Sequence, residues 1–241
     1  MKRFVCGIGV LALALGIAAD SASAQLAGNP VYAVNPAVGV TLNGDFGLGV
    51  NEESGKNKYA GGRIALGIPM ISFWAGAGLM MDTLDATDHE LTFGGGAAIN
   101  LIKAPVLPVA LSFQAGGGYV SCETAAITDC SKLTLIAGPA LRINLPSPAV
   151  RVEPWVMPRV HMTRKSQGGE SVMQTGFGAS GGLNINLPMG LGFHVVADLA
   201  TLPRKVSGAL TAAKQSPLTV GVGIHYTIAV PSLGLPLVPI N

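Results

Sequence analysis

Few side chains in this sequence could do chemistry, and their spacing is the first clue to what surrounds them. His161, His194 and His225 each stand in a run of alternating residues, and Asp198 follows His194 by one short step. Imidazole beside carboxylate can move protons or bind a metal. Arg151, Glu153, Trp155, Met157 and Arg159 recur at every second position, a mixed stripe suited to contacting a solute. Asp45 and Arg63, and Arg142 and Glu153, are opposite charges at spacings that a hairpin could bring together. Asp82, Asp85, Asp88, His89 and Glu90 form an acidic cluster that reads most simply as a solvated loop. No GxSxG, HExxH, P-loop or dinucleotide-binding pattern is present. Neither a cofactor nor a metal site is expected.

The elements that carry these residues are strands. From 37 to 69, Val38, Val40, Leu42, Phe46, Leu48 and Val50 share one parity, and Gly39, Thr41, Asn43, Asp45, Gly47 and Gly49 the other. After a polar break at 51–57 the alternation resumes with Ile64, Leu66 and Ile68. A period of two is a β-strand with unlike faces, and two such runs across a polar loop make a hairpin. The pattern continues through ten strands, near 37–50, 58–69, 71–82, 89–102, 107–122, 132–145, 150–163, 172–187, 191–202 and 217–230. The strand cores carry no Lys, Arg, Asp, Glu or His on the apolar parity. The other parity holds Asp45, Arg63, Arg142, Arg151, Glu153, Arg159, His161, His194, Asp198 and His225 among many small residues.

Composition narrows the setting. Charged residues are 12% of the chain, and Gly contributes 33 residues. A soluble domain averages about 25% charged residues. Mean hydropathy is +0.48, yet no apolar run beyond the N-terminus reaches the roughly 20 residues of a spanning helix. A soluble barrel with an apolar interior, of the lipocalin kind, would need a densely charged outer face, and the polar parity here is mostly small. The alternative is a barrel with its apolar face in lipid. Connections after odd strands are polar (51–57, 83–88, 123–131, 164–171, 203–216), and those after even strands are short and Pro-rich (69–70, 103–106, 146–149, 188–190). Long loops on one rim and tight turns on the other belong to outer-membrane barrels.

The ends of the chain agree. Lys2 and Arg3, an apolar core from 5 to 19, and Ala22-Ser23-Ala24 make a cleavable signal peptide over 1–24. The expected order is then a periplasmic segment 25–36, a barrel 37–230 and a Pro-rich tail 231–241. Removing 1–24 leaves a net charge of about +1, which gives no reason to invoke nucleic acid. Cys122 and Cys130 fall opposite each other if Tyr119 faces Leu133, and a pair in an exported protein reads as a disulfide.

In signal peptide, strand rhythm and loop asymmetry the chain resembles the small OmpX- and OmpA-type outer-membrane barrels. Thr219, Gly221, Ile224 and Tyr226 fit the spacing of the insertion signal with which such barrels often end. The resemblance implies a closed, all-β, antiparallel up-and-down transmembrane barrel, of ten strands by count or eight by family habit. It implies outer-membrane lipid and the barrel-assembly machinery as partners. The function expected is structural, or a passive narrow pore for small solutes, and not catalysis. An outer-membrane protease or lipid-modifying enzyme and a surface ligand-binding barrel are the alternatives. Hairpin arithmetic places Asp45 opposite Arg63, and Arg142 opposite Glu153, as ion pairs in a filled lumen. Strand direction spreads His161, His194 and His225 along the barrel as isolated lumen histidines.

Overall fold

The computed structural model describes residues 29–33, 38–81, 89–103, 108–121, 130–145, 150–208 and 210–230. The expected signal peptide and C-terminal tail, the loop acids Asp82, Asp85 and Asp88, and Cys122 lie outside the described residues. Among the described residues there are twelve strands: β1 (Gly39–Gly49), β2 (Lys58–Gly67), β3 (Ile71–Met81), β4 (His89–Lys103), β5 (Val109–Ser121), β6 (Cys130–Ile143), β7 (Arg151–Gln167), β8 (Glu170–Asn186), β9 (Leu191–Thr201), β10 (Lys205–Ser207), β11 (Leu210–Ala212) and β12 (Leu218–Ala229). Ten of them close into one antiparallel barrel, sealed where β1 pairs with β12. β10 and β11 form a separate small hairpin. The count of ten is the expected one, and eight is excluded.

The alternation in sequence becomes the two faces of the wall. Leu42, Phe46, Leu66, Phe73, Phe113, Val156, Phe193 and Val222 are exposed on the outside. Asp45, Arg142, Glu153, Arg159, His161, His194 and Asp198 are buried on the inside. A soluble barrel would hide the first set and hydrate the second. This one does the opposite, which suits hydrocarbon outside and a packed polar lumen within. Phe93 and Tyr119 face each other across β4 and β5, with ring centroids 5.2 Å apart, on the outward side.

The lumen is filled by pairing large side chains with glycines. A Cβ at Gly96 would strike the Trp74 indole, one at Gly182 the Trp155 indole, and one at Gly61 or Gly78 the Tyr59 ring. Each ring lies over the bare backbone of a neighbouring strand. Gly94, Gly95 and Gly96 face Gly118, Gly117 and Gly116, so the glycine runs are close wall packing, as expected.

Three details differ from expectation. The connection expected over 164–171 is mostly strand: β7 and β8 extend to Gln167 and Glu170, joined by Gly168 and Gly169, both at positive φ. Such a two-residue turn lets the ladder continue outward, and its polar flanks disguise it as a loop. The stretch 203–216 contains the β10–β11 hairpin, pinned where Gln174 Nε2 donates to Pro203 O (2.7 Å) and Ala213 O (2.8 Å). Third, two registers are displaced by two residues. Asp45 faces Gly61, Arg63 faces Asn43, and Arg142 faces Trp155. The turns are wider than the arithmetic supposed, since parity fixes the face but not the slip. The Tyr119–Leu133 pairing stands. Cys130 is buried and disulfide-bonded.

Candidate functional site in the lumen

The rim with short turns, where β1 and β9 begin and β2 and β12 end, is the periplasmic one by the expected orientation. Two rows of residues cross the wall between that rim and mid-height. In register order the first is Gly61, Asp45, Gly223, His194 and Asn184, and the second Arg63, Asn43, His225, Gly192 and Asn186. Gly223 separates Asp45 from His194 in the first row, and Gly192 separates His225 from Asn186 in the second. The His194 ring lies over Gly223 and the His225 ring over Gly192, where a Cβ would collide with either.

These gaps let the side chains meet. Asp45 takes Arg63 through both carboxylate oxygens, Oδ2 to Nε and Oδ1 to Nη2 (3.0 Å). Its Oδ1 also meets His194 Nε2 at 2.8 Å. His194 Nδ1 lies 3.3 Å from His225 Nδ1, with the rings stacked at 5.6 Å, and His225 Nε2 is 3.1 Å from Asn186 Oδ1. A line of polar contacts thus runs from Arg63 through Asp45 and both imidazoles to Asn186. The expectation of isolated histidines fails here. Hairpin arithmetic relates only consecutive strands, whereas Asp45 and His194 meet across the barrel closure between β1, β12 and β9. Chemically, the facing Nδ1 atoms let the two imidazoles share one proton, with Asp45 accepting from the far nitrogen of His194.

Against this network lies a segment that the alternation does not reveal. Residues 29–33 are inside the barrel, not in the periplasm as expected for 25–36. Asn29, Val31 and Tyr32 are buried. The Tyr32 ring lies under the Arg63 guanidinium at 4.1 Å and edge-on to His194 at 4.9 Å. Gln114 Nε2 donates to Tyr32 O at 2.7 Å. Pro30 and the Tyr32 hydroxyl occupy the space over Gly221, nearer the long-loop rim. Val31 and Tyr32 pack with Ile136, Ala140, Trp155, Met157 and Val196 in the main buried apolar cluster. A single extended segment needs no ladder partner of its own, so it leaves no period for sequence reading to detect. The signal that could have found it was the surplus of small lumen residues, which left space to be filled.

The other expected site residues divide into two groups. Arg159 Nη2 pairs with Asp198 (2.6 Å) and its Nη1 donates to Ser180 Oγ (3.2 Å). His161 Nε2 is 3.2 Å from Thr163 Oγ1 on the same strand. Asp198 therefore serves Arg159 rather than His194. Toward the periplasmic rim, Glu153 holds Arg151 Nε at 2.8 Å and Arg142 Nη1 at 3.7 Å. Both expected ion pairs thus form despite the displaced registers, along diagonals rather than directly across. The stripe on β7 is split: Trp155 and Met157 pack against the inserted segment, whereas Arg151 and Glu153 line an open cup at the rim. In the last strand Thr219 is buried, Ile224 and Tyr226 are exposed, and Gly221 lies under the inserted segment.

A closed wall with an apolar outside and charged groups confined to its interior has only one compatible solvent on each side. The chain is a closed ten-stranded β-barrel whose outer wall suits a membrane. No family model matches it, and no curated protein matches its sequence. Among solved structures, it is similar to the outer membrane protease OmpT from Escherichia coli, at 10% identity over 79% of this chain and 94% of that one, with a TM-score of 0.41. LpxR from Salmonella typhimurium is similar at 10% identity, covering 83% and 90%, with a TM-score of 0.45. The N-terminal β-barrel domain of OprF from Pseudomonas aeruginosa is similar at 12% identity, covering 80% and 100%, with a TM-score of 0.35.

Proposed function

We propose that this protein is a structural barrel of the outer membrane, held shut by its own residues 29–33, and not an open pore. The observation that carries this reading is Tyr32, seated mid-lumen between Arg63 and His194 with its carbonyl held by Gln114. Side chains just fill a barrel of about eight strands; ten strands leave a wider lumen, and here a peptide takes up the remaining space. Arg159, Asp198 and Met157 occupy the lumen beside and beyond it, all buried. In this reading the ion pairs are internal braces rather than a selectivity filter. Thr219, Gly221, Ile224 and Tyr226 serve as the assembly signal, with Gly221 also clearing room for the inserted segment.

Planar-bilayer recording tests the closure. The full chain should give no stepwise conductance. A variant with residues 29–33 replaced by a Gly-Ser stretch should conduct small ions. Equal conductance from both would overturn the reading.

A further inference from the structure

The inserted segment is held as a ligand is held. Residues 29–33 join no ladder of the wall, and the lumen grips them through side chains. Gln114 Nε2, from β5, donates to the Tyr32 carbonyl at 2.7 Å. The Arg63 guanidinium covers the face of the Tyr32 ring at 4.1 Å. The His194 ring meets that ring at 4.9 Å, with the two planes 78° apart. A cation over the face and a second ring at a steep angle are contacts that an aromatic quadrupole favours. Val31 packs in the apolar cluster with Ile136, Met157 and Val196. Pro30 takes space that a side chain at Gly221 would fill.

The clamp around the ring does not depend on its occupant. Asp45 holds Arg63 through both carboxylate oxygens and meets His194 Nε2 through Oδ1. Both jaws, one on β2 and one on β9, are therefore braced by β1. A site whose parts are already fixed loses little to ordering them on binding. The clamp also reads a ring rather than a phenol. Among the described residues the buried Tyr32 hydroxyl makes no hydrogen bond, and a hydroxyl buried without a partner costs desolvation.

We propose that the lumen is a recognition site for an extended peptide carrying an aromatic residue, filled in cis by residues 29–33 and able to take the same chemistry in trans. This rests on closure by that segment and adds what the closed lumen recognises. Tethering gives the cis segment an effective concentration on the order of millimolar. A free peptide of equal affinity therefore binds measurably only where the tethered one has been replaced.

Calorimetric titration in detergent tests it, on the full chain refolded with 29–33 replaced by a Gly-Ser stretch. The probe is acetyl-Asn-Pro-Val-Tyr-Ala-amide. It should bind the replaced chain and give no heat with the unaltered one. A peptide with alanine in place of tyrosine should bind more weakly by roughly tenfold or more, the worth of one buried aromatic side chain. A peptide with phenylalanine there should bind at least as tightly as the probe. Heat-modifiable migration on a gel checks that each chain is folded. Should the replaced chain not fold, Tyr32→Ala in an otherwise intact chain empties the ring site alone. Phenol should then raise the unfolding temperature of Tyr32→Ala but not of the unaltered chain, and cyclohexanol, which has no π face, should raise it less. No binding of the probe to the folded replaced chain, equal heats from the unaltered chain, equal binding of the alanine peptide, loss of binding with phenylalanine, or equal effects of phenol and cyclohexanol would each overturn the proposal. Equal conductance of the two chains would instead overturn the closure, and these heats are measured without it.

Discussion

The lipid-facing wall and the lumen are made by alternate residues of the same ten strands, yet they are organised by different rules. The wall is local. Val222 needs only to be apolar, because its surroundings are hydrocarbon wherever it falls along β12. The lumen is non-local. Gly221 and Gly223, on either side of Val222, are placed by what crosses over them: Pro30 and Tyr32 over the first, His194 over the second. One face of a strand is specified by a solvent and the other by particular partners. The two should therefore fail differently when altered.

The largest effect is expected in the lumen. Asp45→Ala removes the partner that Arg63 and His194 share. A buried pair broken on one side leaves an uncompensated charge and costs about 3–5 kcal/mol. Urea unfolding of the protein in detergent, followed by loss of heat-modifiable migration, should show this drop. Restoring length and one acceptor with Asp45→Asn should recover only part of it, because the amide cannot receive Arg63 as a carboxylate does. A loss below 1 kcal/mol would mean that water enters the lumen freely, and the contrast with the wall would then weaken.

On the wall, Val222→Arg puts a charge into the outward band near the middle of β12. The depth-dependent cost there is about 2–4 kcal/mol. The same measurement in lipid vesicles checks it. Phe113→Leu, which only exchanges one apolar group for another on that face, should cost well under half as much. A similar cost for both would indicate that the outside is packed against something other than lipid.

Gly223→Ala tests the rule of glycine rows directly. The new Cβ would meet both His194 Nε2 and Gly44 O. Backbone cannot yield as a side-chain tip can, so overpacking of about 1–3 kcal/mol is expected. The imidazole NMR signals of His194 and His225 should move together, since the two rings are stacked. Gly44→Ala is the control: a Cβ there comes no closer than 3.7 Å, to Ile224 Cγ1 on the lipid side, so it should be nearly neutral.

This division also explains what could be read in advance. Strand number, wall polarity and the Tyr119–Leu133 register all follow from a period of two and local turns. Asp45 with Arg63 was legible as a pair because hairpin neighbours constrain each other within one or two positions of slip. His194 with His225 was not, because β9 and β12 are separated by the β10–β11 excursion and no turn length fixes their register. His194 with Asp45 depends on closure between the first and last strands, which only the shear of the whole barrel determines. Tyr32 was least legible of all. It belongs to no strand, and a short apolar stretch beside an expected cleavage site reads as a tail.

The smallest effect concerns the rim, where the two rules meet. Gln174 is a lumen residue of β8, buried at 4% exposure, yet its amide donates to two carbonyls of the outer connection, Pro203 O and Ala213 O. On the other side of the mouth, Asn51 Nδ2 donates to Ser216 O at 2.8 Å and its Oδ1 accepts from Leu218 N at 3.1 Å. The β10–β11 stretch is thus tethered at both ends rather than loose, despite the exposed Arg204 and Lys205 within it. Each neutral hydrogen bond contributes about 0.5–1.5 kcal/mol, so Gln174→Ala should lower global stability only slightly. Its effect should appear locally instead. Trypsin added to intact vesicles should cut at Arg204, Lys205 or Lys214 faster in Gln174→Ala than in the parent, with the barrel band on the gel unchanged. Equal cutting of both would mean that the other ties, Asn51 to Ser216 and Leu218 and the paired Leu202 and Gln215 backbone, hold the stretch without Gln174, and that the lumen's specific contacts stop below the rim.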